Sequence, residues 1–355
     1  MKRAVLRAPG RFEIEDAALP PLAEGEALVR VRAAGVCGSD LHLFRCGDIG
    51  GIRITDAKEP YVPGHECMGV VEDVAKGAEP ALVGRRVFVE PAINCQRCRW
   101  CRQGRPNVCP HHVFLGLPNQ RAGCLAEYVA HPIRLCEPLP EAIDDDAGLL
   151  MEPLAIAVHS LERMGVIGEP GESNIRGQPI VVMGAGTIGL THVMLLASCG
   201  ANPLIVTDVL DYRLELARLL GATHTFNPHS DDVVGSVIEL CGGYGPDIVF
   251  ECAGQMETFA QMIELAAPGG RVGVVGIPGE DRLTFPHSIA RRKGLDVLMI
   301  RRACLTFPRA LNWALRENLP LRTLTTHHWP LEKTQQAFET AAEYRDGVIK
   351  AVVNP

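Results

Sequence analysis

The sequence lacks any hydrophobic run long enough to cross a membrane. Its apolar segments, such as PIVVMGAG and PLIVTD, run for about four to six residues before Gly, Pro or Asp interrupts them, whereas a span needs about 20 apolar residues. The N-terminal segment MKRAVLRAPGRFEIED lacks the apolar stretch and the small-residue cleavage site of an export signal. We therefore expect a soluble, cytoplasmic protein with no membrane partner.

The chain also lacks an excess of positive charge. It has 35 Lys and Arg against 42 Asp and Glu, a formal net charge of −7, which argues against nucleic acid as a partner. It contains no internal repeat and no low-complexity segment. Its 355 residues, of which 47% are hydrophobic, are enough to form a large core and suggest two domains.

Cysteine, in contrast, is abundant: the chain has 13, and four of them fall in the stretch CQRCRWCRQGRPNVC. This stretch fits a disulfide knot, a redox or catalytic thiol pair, or a metal site. A reducing cytoplasm favours the metal site. The spacing C-x-x-C-x-x-C-x7-C can place four thiolates around one tetrahedral zinc ion, and four thiolates leave no position for a substrate. The stretch therefore predicts a structural zinc site formed by Cys95, Cys98, Cys101 and Cys109.

Four arginines in the same loop would offset part of the negative charge of a zinc tetrathiolate. The basic run also fits a zinc ribbon that binds nucleic acid. One isolated loop in an acidic chain argues against that function.

The pattern of the sequence changes near residue 151. Before it, short β-type runs such as ALVRVRAAGVCGSD and GRRVFVEPA are broken by turn residues, which predicts a β-rich domain. After it, apolar strands such as PDIVFECAG alternate with helical patterns such as TIGLTHVMLLASCG, which predicts a parallel sheet with right-handed crossovers. From about residue 302, two helical patterns and a final VIKAVVNP strand suggest a return to the first domain.

A glycine-rich turn in IVVMGAGTIGLTH indicates a dinucleotide site. Gly184, Gly186 and Gly189 have G-x-G-x-x-G spacing between an apolar strand and an amphipathic helix, where they allow a tight turn, close approach of a pyrophosphate, and close packing of helix and strand. Asp208 ends the next strand, where a carboxylate can bind a ribose hydroxyl and repel a 2′-phosphate, so we expect NAD rather than NADP. The alternative for Asp208 is a solvated turn residue. Arg213, in TDVLDYR, is a further candidate cofactor-binding residue.

A second group of possible metal ligands is spread over two segments. Cys37 lies in GVCGSDLH, and His65 and Glu66 lie in VPGHECMGVV. Thiolate, imidazole and carboxylate are all acceptable zinc ligands, although a lone Cys or His at the end of a strand is more often a packed residue than a metal ligand. Together they predict an open zinc site, in which the ion keeps a vacant position and can act as a Lewis acid.

These motifs resemble, in order, those of the zinc-containing medium-chain alcohol and polyol dehydrogenases, and the resemblance covers nearly the whole chain. It implies an α/β protein with a β-rich, GroES-like catalytic domain at residues 1–152 and 302–355, including a structural-zinc lobe at 90–112. It also implies a Rossmann NAD-binding domain with a doubly wound parallel sheet at 153–301. The resemblance further implies two zinc ions per subunit and a homo-oligomer, either a dimer or a tetramer.

Within that family, the segment LLMEPLAIAVH is similar to the sorbitol-type polyol dehydrogenases, because Glu152 stands where many simple alcohol dehydrogenases have a cysteine ligand. The resemblance implies that zinc is bound by Cys37, His65 and Glu66. Glu152 would lie near the fourth, water-occupied position, either as a ligand or next to the ligands.

The resemblance also assigns roles to three residues beside the metal. Ser39 is expected to hydrogen-bond the substrate oxygen, and His42 to pass the proton onward to solvent. The segment IRRACLTFP is similar to an arginine-containing segment of sorbitol dehydrogenases, which suggests Arg302 near the cofactor or substrate. Ala303 stands where the family has an aromatic residue, so any hydroxyl recognition by that residue is lost here.

The sequence thus predicts a zinc-dependent oxidoreductase that transfers a hydride from a polyol or secondary alcohol to NAD and produces a ketose or ketone. Aldose dehydrogenases and L-threonine dehydrogenase share most of the motifs and are the alternatives within the family. A non-enzymatic protein that binds zinc or NAD is the alternative from another class.

Overall fold

A computed structural model describes residues 1–76, 80–168, 173–279 and 282–355. The strands of the described residues, numbered in chain order, are β1 Lys2–Ala8, β2 Arg11–Asp16, β3 Glu26–Gly35, β4 Asp48–Ile49, β5 Ile52–Arg53, β6 Glu66–Val74, β7 Arg86–Val89, β8 Ala92–Ile93, β9 Val113–Phe114, β10 Tyr128–Pro132, β11 Cys136–Pro138, β12 Ile180–Met183, β13 Leu204–Thr207, β14 His224–Phe226, β15 Ile248–Glu251, β16 Arg271–Val274, β17 Asp296–Met299, β18 Thr325–Pro330 and β19 Lys350–Asn354. The α-helices of the same residues are α1 Gly38–Cys46, α2 Arg99–Arg102, α3 Asp145–Leu149, α4 Met151–Arg163, α5 Thr187–Ser198, α6 Asp211–Leu219, α7 Val233–Leu240, α8 Met256–Leu265, α9 His287–Lys293, α10 Phe307–Arg316 and α11 Thr334–Ala342. Within these described ranges, none of the helices combines the length and apolarity that a membrane crossing requires.

The chain divides into two compact units. The first comprises Met1–Glu152 and Leu321–Pro355, and the second comprises Pro153–Pro320. The sequence predicts a return to the first domain at residue 302, whereas the structure places residues 302–320 in the second unit. The reason is that α10 is anchored there: Thr306 donates a hydrogen bond to the carbonyl of Ala155 (2.7 Å), and Arg309 Nε lies 2.8 Å from Glu162 Oε1.

The first unit is built around a seven-stranded sheet with the order β11-β7-β6-β3-β19-β18, in which β10 also pairs with β3. Strand β3 is central and pairs antiparallel with both β6 and β19, so that Gly35 is opposite Glu66 on one side and Val352 on the other. The C-terminal strand is therefore adjacent to the ends of β3 and β6, where the predicted ligands Cys37, His65 and Glu66 lie.

The second unit contains a six-stranded, fully parallel sheet with the order β14-β13-β12-β15-β16-β17. This is the 3-2-1-4-5-6 order of a dinucleotide-binding fold, and it confirms the α/β prediction made from the alternating pattern. Its central strands are short apolar segments buried on both faces, as helices on each side of a parallel sheet require. The glycine-rich turn connects β12 to α5.

Candidate metal and cofactor sites

The four-cysteine loop forms a compact thiol cluster rather than a disulfide knot. Its Sγ–Sγ separations are 3.5 Å for Cys98–Cys101 and for Cys95–Cys109, 3.8 Å for Cys98–Cys109 and 4.0 Å for Cys95–Cys101. Bonded sulfurs would be about 2.05 Å apart. Four sulfurs at about 2.3 Å from a tetrahedral zinc ion would be about 3.8 Å from one another, which the cluster matches.

The electrostatics of this cluster also favour a cation. Backbone N–H groups of Arg97 and Cys98 lower the pKa of Cys95 to about 6, so that its thiolate is stabilised. Burial and the neighbouring thiols raise the pKa of Cys101 to about 12. The surroundings thus stabilise the thiolate of Cys95 and disfavour that of Cys101, and a bound divalent cation would favour the thiolate form of both.

The second predicted group also comes together. Cys37 lies two residues after the end of β3 and is the N-cap of α1, His65 immediately precedes β6, and Glu66 is the first residue of β6. Because β3 and β6 pair through Gly35 and Glu66, these chain ends are adjacent. One ligand atom from each of Cys37, His65 and Glu66 lies within 4.8 Å of the others, which is a spacing that one ion can bridge.

A carboxylate that sequence reasoning missed orients His65. Asp40 is 2% exposed, its Oδ1 lies 3.6 Å from His65 Nδ1, and its Oδ2 accepts a hydrogen bond from the backbone N–H of Cys37 (3.2 Å). Burial opposes protonation of His65, but Asp40 and Cys37 outweigh burial and raise its pKa well above the ordinary value. The pocket therefore favours positive charge, as a metal site does, and Asp40 has the position of the carboxylate that commonly orients a ligating histidine. The signal in the sequence was Asp40 itself, in GVCGSD, in the first turn of α1.

The second missed residue is Lys350. Its Nζ lies 2.9 Å from Glu66 Oε1 and 2.7 Å from Oε2, and the side chains are 3% and 1% exposed. Burial acts to lower the pKa of Lys350, but Glu66 and Cys37 outweigh it and the pKa is raised. A single lysine inside the apolar pattern VIKAVV was the available signal, because lysine is buried only when it is paired.

The remaining residues predicted beside the metal lie on two helices. Glu152 is in the first turn of α4 and is 5% exposed, and its charge contributes to the raised pKa of Lys350. The three-residue ligand group does not include its carboxylate. Ser39 and His42 are both partly exposed on α1, three residues apart and therefore on one face of the helix.

The glycine-rich turn has the space that a pyrophosphate needs. Gly184 has φ +93°, and a Cβ there would lie 2.8 Å from the backbone of Ala253, so only glycine fits. A Cβ on Gly189 would collide with the carbonyl oxygen of Gly184. At Gly186, in contrast, the nearest atom to an added Cβ is Arg213 Nη1 at 3.8 Å, which leaves bare backbone beside a cation at the start of α5.

Asp208 is tied to this turn rather than solvated. Its Oδ2 accepts a hydrogen bond from the backbone N–H of Ala185 (2.7 Å), its Oδ1 accepts one from Leu210 (2.9 Å), and Arg213 Nη1 lies 3.8 Å from Oδ2. Arg302 lies elsewhere in the second unit, between β17 and α10, with a left-handed φ of +54°, and is followed by buried Ala303.

Two family models match the chain. The one described as the alcohol dehydrogenase GroES-like domain matches residues 23–141, and the one described as zinc-binding dehydrogenase matches residues 187–316. Among curated relatives, a sorbitol dehydrogenase from Bacillus subtilis is 30% identical over 100% of this chain and 97% of its own length. An L-arabinitol 4-dehydrogenase from Aureobasidium melanogenum is 34% identical over 94% of this chain and 88% of its own length.

Solved structures of dehydrogenases also resemble this chain over nearly its whole length. An Escherichia coli oxidoreductase of unknown specificity has a TM-score of 0.90 at 30% identity and covers 99% of this chain and 98% of its own. A zinc-binding dehydrogenase from Sinorhizobium meliloti bound to NADP and an Escherichia coli alcohol dehydrogenase in complex with NADH each have a TM-score of 0.88 at 28% identity. Each of these two covers 100% of this chain and 99% of its own.

Proposed function

Because the chain belongs to the zinc-containing medium-chain alcohol and polyol dehydrogenases, we propose that it transfers a hydride from a polyol or secondary alcohol to NAD and produces a ketose or ketone. The observation that carries the proposal is the group of Cys37, His65 and Glu66, in which a carboxylate accompanies one thiolate and one imidazole. Relatives named for sorbitol and L-arabinitol support a polyol as the substrate.

In this proposal Cys37, His65 and Glu66 would hold the catalytic zinc, and Glu152 would be a further ligand or lie next to the ligands. A zinc ion bound there would supply a Lewis acid that makes the substrate hydroxyl easier to deprotonate near neutral pH. The carboxylate of Asp40, whose Oδ1 lies 3.6 Å from His65 Nδ1, would favour a proton on that nitrogen and leave the other ring nitrogen for the metal.

The other residues of the first unit act on the substrate and its proton. Ser39 would accept a hydrogen bond from the reacting hydroxyl, and His42, on the same face of α1, would pass the proton that this hydroxyl loses onward to solvent. The carboxylate of Glu152 accepts a hydrogen bond from the neighbouring hydroxyl of a vicinal diol. A vicinal diol would gain this second contact and a monoalcohol would not, which favours polyols over ethanol.

The second unit would bind the cofactor, which would supply the hydride acceptor. The pyrophosphate and the adenosine ribose would lie near three groups of this turn. These are the open backbone at Gly186, the N-terminus of α5 and the guanidinium of Arg213. Asp208 would select against a 2′-phosphate, and we assign Arg302 a contact with the cofactor or substrate. One solved relative is bound to NADP and another to NADH, so the relatives do not decide between the two cofactors. The proposed preference for NAD therefore depends on Asp208 of this chain.

The four-cysteine loop would hold a second zinc ion, which would be structural because four thiolate ligands leave no position for a substrate. We place the protein in the cytoplasm, which is supported by its 13 cysteines, all free thiols.

The chain acts as a homo-oligomer, either a dimer or a tetramer. Support comes from β17, an edge strand of the parallel sheet, where Met299 is 64% exposed, and from Ile277, which is 52% exposed. Light scattering of the purified protein measures the assembly, and a monomer at micromolar concentration would contradict it.

The experiment that tests the function is a substrate screen that follows NADH absorbance. Sorbitol, xylitol and related polyols should give the highest kcat/KM, above simple alcohols, aldoses and L-threonine. If an aldose or L-threonine is the far better substrate, the polyol assignment is wrong. If no alcohol supports NADH formation by the metal-loaded enzyme, the dehydrogenase proposal is wrong.

A further inference from the structure

Three adjacent strands of the first unit meet at one buried ion pair. Glu66 begins β6, Gly35 ends the central strand β3, and Lys350 begins the C-terminal strand β19. Gly35 is directly opposite Glu66 in the β3–β6 pair, and β19 lies on the other side of β3. The lysine therefore reaches across the central strand to the carboxylate.

The ammonium group of Lys350 has all its hydrogen-bonding capacity satisfied at this point. It donates to Glu66 Oε1 (2.9 Å), to Glu66 Oε2 (2.7 Å) and to the carbonyl oxygen of Val36 (3.1 Å). A lysine has three N–H donors and no acceptor, so these three bonds fix its position. Because both oxygens of Glu66 are engaged, the plane of the carboxylate is fixed as well.

The space for this carboxylate depends on the absence of a side chain at position 35. A Cβ on Gly35 would lie 2.3 Å from Glu66 Oε2 and 3.3 Å from Glu66 Cβ. The backbone of β3 thus contacts the carboxylate from one side, while Lys350 holds it from the other. With both present, a Glu66 oxygen lies within 4.8 Å of the ligand atoms of Cys37 and His65.

We propose that Lys350 is a positioning residue for the catalytic metal. Its ammonium group holds the Glu66 carboxylate, across Gly35, in the orientation that the metal requires. The inference rests on the proposed function, since it takes Glu66 as a ligand. It makes the metal site depend on the C-terminal strand β19, which contains none of the predicted ligands. Residues that orient ligands from behind in this way typically change metal affinity by about 10- to 100-fold when they are replaced.

The test measures Co²⁺ binding by the full-length protein after its metal has been removed. The two clusters serve as internal references for each other, because Co²⁺ bound to four thiolates and Co²⁺ bound to a mixed thiolate, imidazole and carboxylate set have different absorption spectra. Lys350→Met should weaken Co²⁺ binding at the mixed site by about 10- to 100-fold and change its spectrum, while binding at the four-cysteine site stays as in the wild type. Lys350→Arg, which keeps the charge and can bind a carboxylate through two N–H groups, should restore part of the affinity.

Two further variants separate the position of the Glu66 carboxylate from the charge of a lysine. Gly35→Ala leaves Lys350 in place but displaces Glu66 Oε2, so it should weaken the mixed site in the same way. Lys2→Met is the matched control, because Lys2 also pairs with a glutamate in the first unit, Glu332 at 2.7 Å, but both side chains are about half exposed (47% and 54%). It should leave both spectra and both affinities unchanged.

The inference is overturned if Lys350→Met binds Co²⁺ at the mixed site with wild-type affinity and spectrum. Tighter binding would overturn it too, because the lysine would then compete with the metal. If Lys350→Met does not fold, Gly35→Ala decides, and unchanged Co²⁺ binding by that variant refutes the positioning role. A wild-type chain that binds Co²⁺ only at the four-cysteine site would instead overturn the proposed function, and this inference with it.

Discussion

Replacement of Asp208 by Asn should move cofactor preference from NAD toward NADP. The change keeps the shape of the side chain and removes its charge. Two unit charges about 4 Å apart interact by about 4 kcal/mol at an effective dielectric constant of 20, and Arg213 at 3.8 Å from Asp208 Oδ2 offsets part of this field. A net change of about 1.5 to 3 kcal/mol would alter the ratio of kcat/KM for NADP and NAD by about 10- to 150-fold.

The same variant should lower stability for a local reason. The carboxylate of Asp208 accepts hydrogen bonds from the backbone N–H groups of Ala185 and Leu210, and an amide can accept only one of them because its NH2 group faces the other donor. Loss of one hydrogen bond to a charged group costs about 1.5 to 3 kcal/mol of the free energy of unfolding. Gly186 lies next to Ala185, so the NAD affinity should fall as well.

The assay is the initial rate of reduced cofactor formation with NAD and NADP at a saturating polyol concentration, together with urea unfolding. Asp211→Asn is the matched control, because Asp211 is exposed at the start of α6 and its carboxylate accepts a hydrogen bond from Asn227 (2.7 Å), not from the turn. It should leave the cofactor ratio unchanged. An unchanged ratio in Asp208→Asn, or a wild-type preference for NADP, would refute the role given to this carboxylate.

Three further outcomes follow from the geometry. Cys95→Ser should reduce the metal content from two ions to one and lower the stability, as measured by metal analysis and thermal unfolding, because a structural ligand is lost. Wild-type metal content and stability in this variant would contradict the structural zinc site. Burial lowers the pKa of His192 to about 4, below its unfolded value of about 6.5, so its contribution to stability is present above pH 6.5 and is lost as the pH falls toward 4. Between pH 7 and pH 5 the wild type should therefore lose about 2 kcal/mol more free energy of unfolding than His192→Leu, and equal slopes in urea titrations would be the contrary result. Glu152→Ala should lower kcat/KM for polyols more than for a simple secondary alcohol, and an equal loss for both substrates would rule out a contact with the second hydroxyl.

The parts of the fold that follow from local pattern were predictable from the sequence. The alternation of short apolar strands and helices gave the parallel sheet, because burial between two helical layers requires continuous apolar strands. The tight turn also followed from the glycines, because a side chain at Gly184 or Gly189 would collide with neighbouring backbone, while Gly186 leaves open backbone at the start of α5. The four cysteines lie within fifteen residues, so the loop that brings them together is short.

What could not be predicted depends on contacts between residues far apart in the chain. Lys350 reaches Glu66 because β19 returns to the central strand β3, a pairing that no local pattern specifies. Asp40 was missed because an aspartate in the first turn of a helix is common, and only the approach of β6 makes it a partner of His65. The return of the chain to the first unit was predicted at residue 302, which is too early. The amphipathic pattern of α10 shows that the helix packs against a neighbour but not which unit supplies that neighbour.

The central claim is that a polyol is oxidised by NAD at the metal held by Cys37, His65 and Glu66. Its most direct test measures NADH formation from sorbitol or xylitol together with metal content, in the wild type and in Cys37→Ser. We expect a wild type with two metal ions per chain and polyol-dependent NADH formation, and a variant that is folded, keeps the metal of the four-cysteine loop and forms no NADH. Polyol turnover at the wild-type rate by Cys37→Ser would contradict the account.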